Sequence, residues 1–350
     1  MSSRPTIYVV LLGPSAVGKT TMQALMCNPA YAQLPRQIRL SPATASEAAE
    51  LQKVSSELRN KIDNLKPWKT IDISRLIPTT PATSQTPFRR DFVVGLSNMD
   101  DGSQGYEKDF SENVTWLFGI CFLDFAGGLL TQKPDDLAER IANSVRNGEA
   151  LLIPVIDAVR LMELPFSHRN TDMGMAFEKM AKVMASLSQR TRIFCPCACI
   201  TRCETYNADW ATEADRRRFY NLVENWCRDL RGAICRQTGQ SALTSDWLQL
   251  DPQMCHTTGC LRVREVRRIP DADAGWNFVF ERVDAEFSPR NVAMPAIEAF
   301  LHAARCAKEA RSGWRQLWDY ITGREAAWKR LLSELENRHE ELKREISASR

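Results

Sequence analysis

The chain has 350 residues, 44% of them hydrophobic and 25% charged, an ordinary globular composition that can bury a core as one large domain with insertions or two modest ones. Its 46 lysines and arginines barely exceed its 43 aspartates and glutamates, so the charge balance indicates neither a nucleic-acid nor an acidic-membrane partner. No run of about 18 apolar residues is present and the N-terminus leads directly into a strand, which predicts neither a membrane span nor a signal peptide. The 11 cysteines, several of them inside apolar runs of a large chain, read as reduced thiols of a cytoplasmic protein.

Thr6 to Leu12 (TIYVVLL) is apolar and β-branched, long enough for one buried parallel strand. It passes into Gly13-Pro14-Ser15-Ala16-Val17-Gly18-Lys19-Thr20, which fits G-x-x-x-x-G-K-[ST] without a mismatch, and continues through Thr21 as the start of a helix. A loop wrapped around a phosphate points successive N–H groups inward. Glycine is needed where a side chain would block approach or where φ is positive, here Gly13 and Gly18. The helix N-terminus beyond favours an anion. Lys19 would reach the β- and γ-phosphates and the Thr20 hydroxyl would take a Mg²⁺ position.

The first helix is predicted to stop near Asn28-Pro29. A longer one follows from Ser41-Pro42 to Lys66, with Ser41 as N-cap, Pro42 in the first turn, and an apolar stripe of Leu51, Val54, Leu58, Ile62 and Leu65. Residues 67–87 are rich in Pro, Thr and Ser and read as a long functional or disordered loop. Residues 88–96 fit a strand, and 97–113 an exposed acidic insertion. Val114 to Leu123 is an apolar strand that delivers Asp124 at its C-terminal end, followed by Phe125-Ala126-Gly127. Ligands of open α/β sheets sit beyond the C-terminal ends of strands. Asp124 is therefore placed to meet Mg²⁺, and Gly127 to offer its N–H to a γ-phosphate.

A helix is predicted over 134–147, a buried strand over 149–157, and a helix over 171–189 whose methionines fill the core. Thr191 to Ile200 is a further strand, ending in Thr201-Arg202-Cys203-Glu204. This alternation predicts an α/β fold of three layers around a mostly parallel sheet, with right-handed crossovers. Cys195, Cys197 and Cys199 alternate along the last strand and so share one face; with Cys255, His256 and Cys260 they read as buried thiols, short of a full zinc ligand set. Residues 261–268 and 276–284 pair as strands, and 295–310 form a closing helix. From Trp314 a helical tail carries an apolar stripe, suited to a partner or to the domain's own surface. The organisation expected is a domain over 1–310, with insertions at about 41–113 (helical) and 205–284, and a helical extension over 311–350.

Three motifs in order, GPSAVGKT, DFAG and TRCE, resemble those of P-loop GTPases of the translation-factor and Ras-like class, specifically a diverged bacterial GTPase with large insertions. The resemblance spans about residues 5–205. It implies a P-loop NTPase fold that binds GTP or GDP with Mg²⁺. Gly13 to Thr21 would hold the phosphates, Lys19 and Gly127 would act on the γ-phosphate, and Thr20 and Asp124 would hold the metal. Thr201, Arg202 and Glu204 would face the base. Where the family has Lys and Asp, Arg202 keeps the charge and Glu204 keeps a two-oxygen acceptor that is one methylene longer. The family's water-orienting glutamine is replaced by Gly128, which implies slow hydrolysis. A switch-loop threonine would be one of Thr79, Thr80, Thr83 and Thr86, and Ser241-Ala242 is a candidate last base loop. The function expected is a GTP-binding switch that controls a protein partner through the switch loop or the C-terminal helix. The alternatives are a nucleotide-bound scaffold without turnover, or an ATPase or kinase.

Overall fold

The computed structural model describes residues 5–42, 44, 53, 56–72, 87–97, 113–145, 149–164, 177–208, 210–239, 247–268, 276–311 and 313–348. In chain order, β1 (Thr6–Leu12) leads into α1 (Lys19–Cys27) and the short α2 (Pro29–Ala32), then β2 (Ile38–Pro42). β3 (Thr70–Asp72), β4 (Phe88–Ser97) and β5 (Val114–Asp124) follow, then α3 (Gly127–Gln132) and α4 (Pro134–Ser144). β6 (Glu149–Asp157) is followed by α5 (Ala158–Glu163) and α6 (Phe177–Ser188), and β7 (Arg192–Thr201) by α7 (Glu204–Asn207) and α8 (Glu213–Thr238). β8 (Leu248–Cys255), β9 (Leu261–Arg268) and β10 (Trp276–Arg282) precede α9 (Ala293–Glu309), α10 (Gly313–Ile321) and α11 (Arg324–Ala348).

Seven strands form one sheet in the order β2-β4-β5-β1-β6-β7-β8. The five from β5 to β8 are parallel, while β4 runs antiparallel to β5 and β2 to β4. Strands covered by helices on both faces must be apolar throughout, and β1 and β6 read that way. On one face α4, α6, α8 and Phe278 and Phe280 of β10 close a core around Leu123, Leu152 and Ile200. On the other, α1, α9 and α11 cover Val9, Phe122 and Ile153. Three layers result. A second, antiparallel sheet of order β3-β10-β9 stands beside them. The parallel strands all deliver their C-terminal residues, Leu12, Asp124, Asp157, Thr201 and Cys255, to the same edge.

Two expectations are corrected. Ser41 and Pro42 do not begin a helix: they end β2, paired with Val93 and Phe92 of β4, and the helix of that region is described over 56–63 with Leu58 and Ile62 buried. Ile38 and Leu40 alternate with Arg39 and Ser41, and proline is tolerated at the end of an edge strand. Leu51 and Val54 lie outside the described residues. Cys195 does not share a face with Cys197 and Cys199. Four steps along β6 (Leu151 to Val155) match five along β7 (Phe194 to Cys199), and that extra residue turns Cys195 to the opposite core. All 11 cysteines are nevertheless buried free thiols. The stretches over 41–113 and 205–284 contribute β4 and β8 to the main sheet, and α8 to its surface.

The stripe of the C-terminal helix is covered by its own domain. Trp328 stacks on Phe118 of β5 with ring centroids 5.8 Å apart, and Leu331, Leu335 and Leu342 are buried beside it. Those residues are therefore not free to receive a partner. Among the described residues, no helix is long and apolar enough to cross a membrane.

Candidate functional site

The loop from Gly13 to Gly18 leaves β1 at the edge where the strand ends collect, and α1 begins at Lys19. Its glycines are required by space and by backbone. A Cβ on Gly13 would lie 2.6 Å from the carbonyl oxygen of Val155, and Gly18 has φ of 90° at the N-cap of α1. Lys19 is buried, and its Nζ donates to the carbonyl oxygens of Gly13 and Pro14, both at 3.0 Å. The ammonium is thus held over the mouth of the loop with one proton to spare. Burial lowers its pKa, which the Asp124 carboxylate opposes and Arg160 reinforces.

Thr20 and Asp124 meet across the sheet. The Thr20 hydroxyl donates to Asp124 Oδ2 at 2.6 Å, which leaves the hydroxyl's lone pairs free. The other oxygen, Oδ1, is buried and has no hydrogen-bond partner among the described residues. A hydroxyl and an orphaned carboxylate oxygen side by side, at the mouth of a phosphate loop, fit a hard cation with oxygen ligands such as Mg²⁺. Two residues on, the chain turns through Phe125 and Ala126, and Gly127 opens α3 pressed against the loop. A Cβ there would stand 2.2 Å from Ser15 N and 2.3 Å from Pro14 C, so no other residue fits without moving backbone. Gly128, next in α3, offers no side chain to orient water.

Thr201 and Arg202 tie the end of β7 to the far side of the same loop. The Thr201 hydroxyl donates to the carbonyl of Val17 at 2.7 Å, with that of Ile156 3.0 Å away. Arg202 has φ of 58°, an uncommon left-handed backbone, and its Nη2 donates to Ala16 O at 2.9 Å and to the Asp157 carboxylate. Asp157, at the end of β6, also accepts from Val159 N at 3.0 Å and pairs with Arg160 at 3.3 Å. Burial presses Arg160 down to a pKa of about 10. Phe278 and Phe280 of β10 cover the two guanidinium groups, 5.8 and 5.7 Å from the ring centroids. This pair, Asp157 and Arg160, escaped the sequence reading, since neither belongs to a motif.

Glu204 is also buried, and both of its carboxylate oxygens are engaged within the protein. Its Oε1 accepts from Thr258 N at 3.1 Å and Thr258 Oγ1 at 2.7 Å, with Thr257 Oγ1 at 3.4 Å, while among the described residues Oε2 takes only Thr257 N at 3.3 Å. These donors follow β8, whose parallel neighbour β7 carries TRCE, so the two loops emerge side by side. Thr257-Thr258 was missed in the sequence. The signal available was position after a strand end rather than composition. Ser241-Ala242 and the threonines 79, 80, 83 and 86 lie outside the described residues.

A mostly parallel sheet with this strand order, its phosphate loop after β1 and its carboxylate at the end of the adjoining β5, is the P-loop NTPase fold. Among solved structures, the Ski7 GTPase-like domain of S. cerevisiae, bound to GTP, is similar with a TM-score of 0.38 at 12% identity, over 73% of this chain and 43% of that one. The LeoA bacterial dynamin GTPase from ETEC gives 0.29 at 13% identity, over 72% and 30%. Toc33 from Arabidopsis thaliana, in complex with GDP and Mg²⁺, gives 0.32 at 11% identity, over 77% and 76%. The chain thus spans less than half the length of the first two. No family model matches the chain, and no curated protein matches its sequence.

Proposed function

We propose that the chain binds GTP with Mg²⁺ and works as a slowly hydrolysing switch for a protein partner. The observation that carries the reading is the meeting of Thr20 with Asp124 beside Lys19, which brings two separate motifs to one cation-and-phosphate position. In this reading Gly13 to Thr21 wrap the phosphates, Lys19 neutralises them, and Thr20 and Asp124 hold Mg²⁺, which would offset phosphate charge. Gly127, packed on Ser15, gives a γ-phosphate a backbone neighbour that a diphosphate would not reach. That difference is what a switch needs.

Base reading falls to the TRCE loop. Thr201 and Arg202 brace it against the phosphate loop, so base and phosphate occupancy share one framework. With Oε1 of Glu204 committed to Thr258, a guanine N1–H or amino group would be received at Oε2, the oxygen with a single long bond. Gly128 supports slow turnover, and equally a scaffold that keeps its nucleotide. The test is equilibrium binding of slowly hydrolysed GTP and ATP analogues with Mg²⁺ to the wild type and to Glu204→Ala. A GTP preference that vanishes in the variant upholds the reading. Equal affinity of the wild type for the two analogues overturns the guanine assignment, and phosphate release under saturating GTP separates switch from scaffold.

A further inference from the structure

We propose a zinc site, independent of the nucleotide, formed by Glu149, His302 and Cys306 where α9 crosses the N-terminal ends of β6 and β7. The Glu149 carboxylate, a His302 ring nitrogen and the Cys306 sulfur all lie within 4.8 Å of one another. Glu149 is the first residue of the nine-residue β6, whose other end carries Asp157 beside the phosphate loop. At roughly 3.3 Å per residue the two sites are about 26 Å apart along the strand.

The placement follows from helix geometry. His302 and Cys306 are four residues apart on α9, so their side chains stack on one face a single turn apart, and that face meets the start of β6. His302 Nε2 and Cys306 Sγ are 3.1 Å apart, and the thiol is also hydrogen-bonded to the Glu149 carboxylate. In a tetrahedral zinc site, bonds of about 2.3 Å to sulfur and about 2.0 Å to nitrogen put those two atoms roughly 3.5 Å apart. A shift of a few tenths of an ångström, within side-chain freedom, would admit the ion.

The surroundings are those of a ligand set. The His302 ring lies flat on Phe194, centroids 3.9 Å apart and planes 8° off parallel, which holds the imidazole in one orientation. Arg192 holds Glu149 Oε1 at 2.5 Å and reaches toward Glu309, an outer partner for the carboxylate. Zn²⁺ with one carboxylate and one thiolate leaves no net charge. One sulfur, one nitrogen and one oxygen donor suit zinc, with water as fourth ligand. The ion would join the two layers of one core, so its consequence is stability.

The test uses the full chain, stripped of metal under a non-thiol reductant and titrated with Co²⁺ and then Zn²⁺. One equivalent of Co²⁺ is expected to give a tetrahedral d–d spectrum with a thiolate charge-transfer band, and Zn²⁺ to abolish both and raise Tm. Cys306→Ser should lose the band. His302→Gln should weaken binding by more than about a hundredfold, because even outer-shell partners are worth about 10- to 100-fold. X-ray absorption of the zinc-loaded wild type needs no variant and should show one sulfur per metal. No band in the wild type, a band unchanged in Cys306→Ser, or two or more sulfurs per zinc would overturn the site, the last assigning the metal to the thiols around Cys197, Cys199 and Cys255. GTP-analogue affinity is expected to be the same with and without zinc, so the two assignments stand or fall separately.

Discussion

The two ends of the proposed nucleotide site, the Gly13–Gly18 loop for phosphate and the TRCE loop braced against it for the base, are built by different means. At the phosphate end, backbone does the work. Gly13, Gly18 and Gly127 let main chain approach main chain, and the side chains that matter, Lys19, Thr20 and Asp124, keep unspent hydrogen-bonding capacity. At the base end, side chains are already engaged with one another: Thr201 and Arg202 with the loop carbonyls, Arg202 with Asp157, and Glu204 with Thr257 and Thr258. One end keeps donors and acceptors available, and the other holds two loops together. Affinity should therefore be concentrated at the first, and specificity should depend on a connection that also supports the fold.

The largest effect expected is at Lys19. Removing one partner of a buried charge interaction costs about 3–5 kcal/mol, so Lys19→Ala should weaken triphosphate binding by roughly two to four orders of magnitude. Its far-ultraviolet circular dichroism should stay that of the wild type. Unchanged affinity in calorimetric titration would remove the phosphate end from the comparison altogether.

Gly127→Ala comes next. Its Cβ would stand 2.2 Å from a backbone nitrogen, and backbone cannot yield as a side-chain tip does. With overpacking costing about 1–3 kcal/mol, a loss of triphosphate affinity of about 5- to 150-fold is expected, with diphosphate affinity less affected. Equal losses for the two nucleotides would show that Gly127 shapes the loop without sensing the γ-phosphate. Thr20→Val should act through the metal instead, leaving Mg²⁺-free binding near the wild-type value while the gain on adding Mg²⁺ disappears.

Glu204→Ala tests the other end. It strips an acceptor from Thr257 and Thr258 in a buried setting, where an unsatisfied donor costs about 1–3 kcal/mol, so thermal stability should fall even without nucleotide. An accompanying loss of preference between GTP and ATP analogues would give Glu204 both roles. Lower stability with the preference intact would make it a structural tie alone.

The same contrast decides what could be read from the sequence. The loop is encoded locally: glycine spacing after a strand marks it, and an apolar strand ending in Asp124 marks its neighbour, so the sheet's parallel centre and the meeting of Asp124 with the residue after the loop's lysine were legible. Thr257-Thr258 and Asp157-Arg160 act through neighbours fixed only when β7 lies between β6 and β8, and no local pattern reports that order. β2 was mistaken because Ser41-Pro42 is also a good helix start, and pairing with β4 outweighed that propensity. The helix α8 was legible but overlooked. Thr212 caps it by accepting from Asp215 N, Gly239 ends it with φ of 68°, and Phe219, Val223, Trp226, Leu230 and Ile234 step along one face.

The smallest effect expected on nucleotide affinity, and the sharpest for the base end, is at Thr258. Thr258→Val keeps the branched shape and removes only the hydroxyl that bonds Glu204 Oε1 at 2.7 Å, a loss of about 1.5–3 kcal/mol for a bond to a charged acceptor. The Thr258 and Thr257 amides remain to hold the carboxylate, so the loop should survive while Oε1 gains acceptor capacity. If Glu204 reads guanine through Oε2 alone, GTP affinity should stay within about threefold of the wild type, under 1 kcal/mol, while stability drops. A rise in GTP affinity with no change for ATP would mean that Thr258 competes with the base for the carboxylate. The tie between the loops would then be a feature of the empty site, released when nucleotide enters.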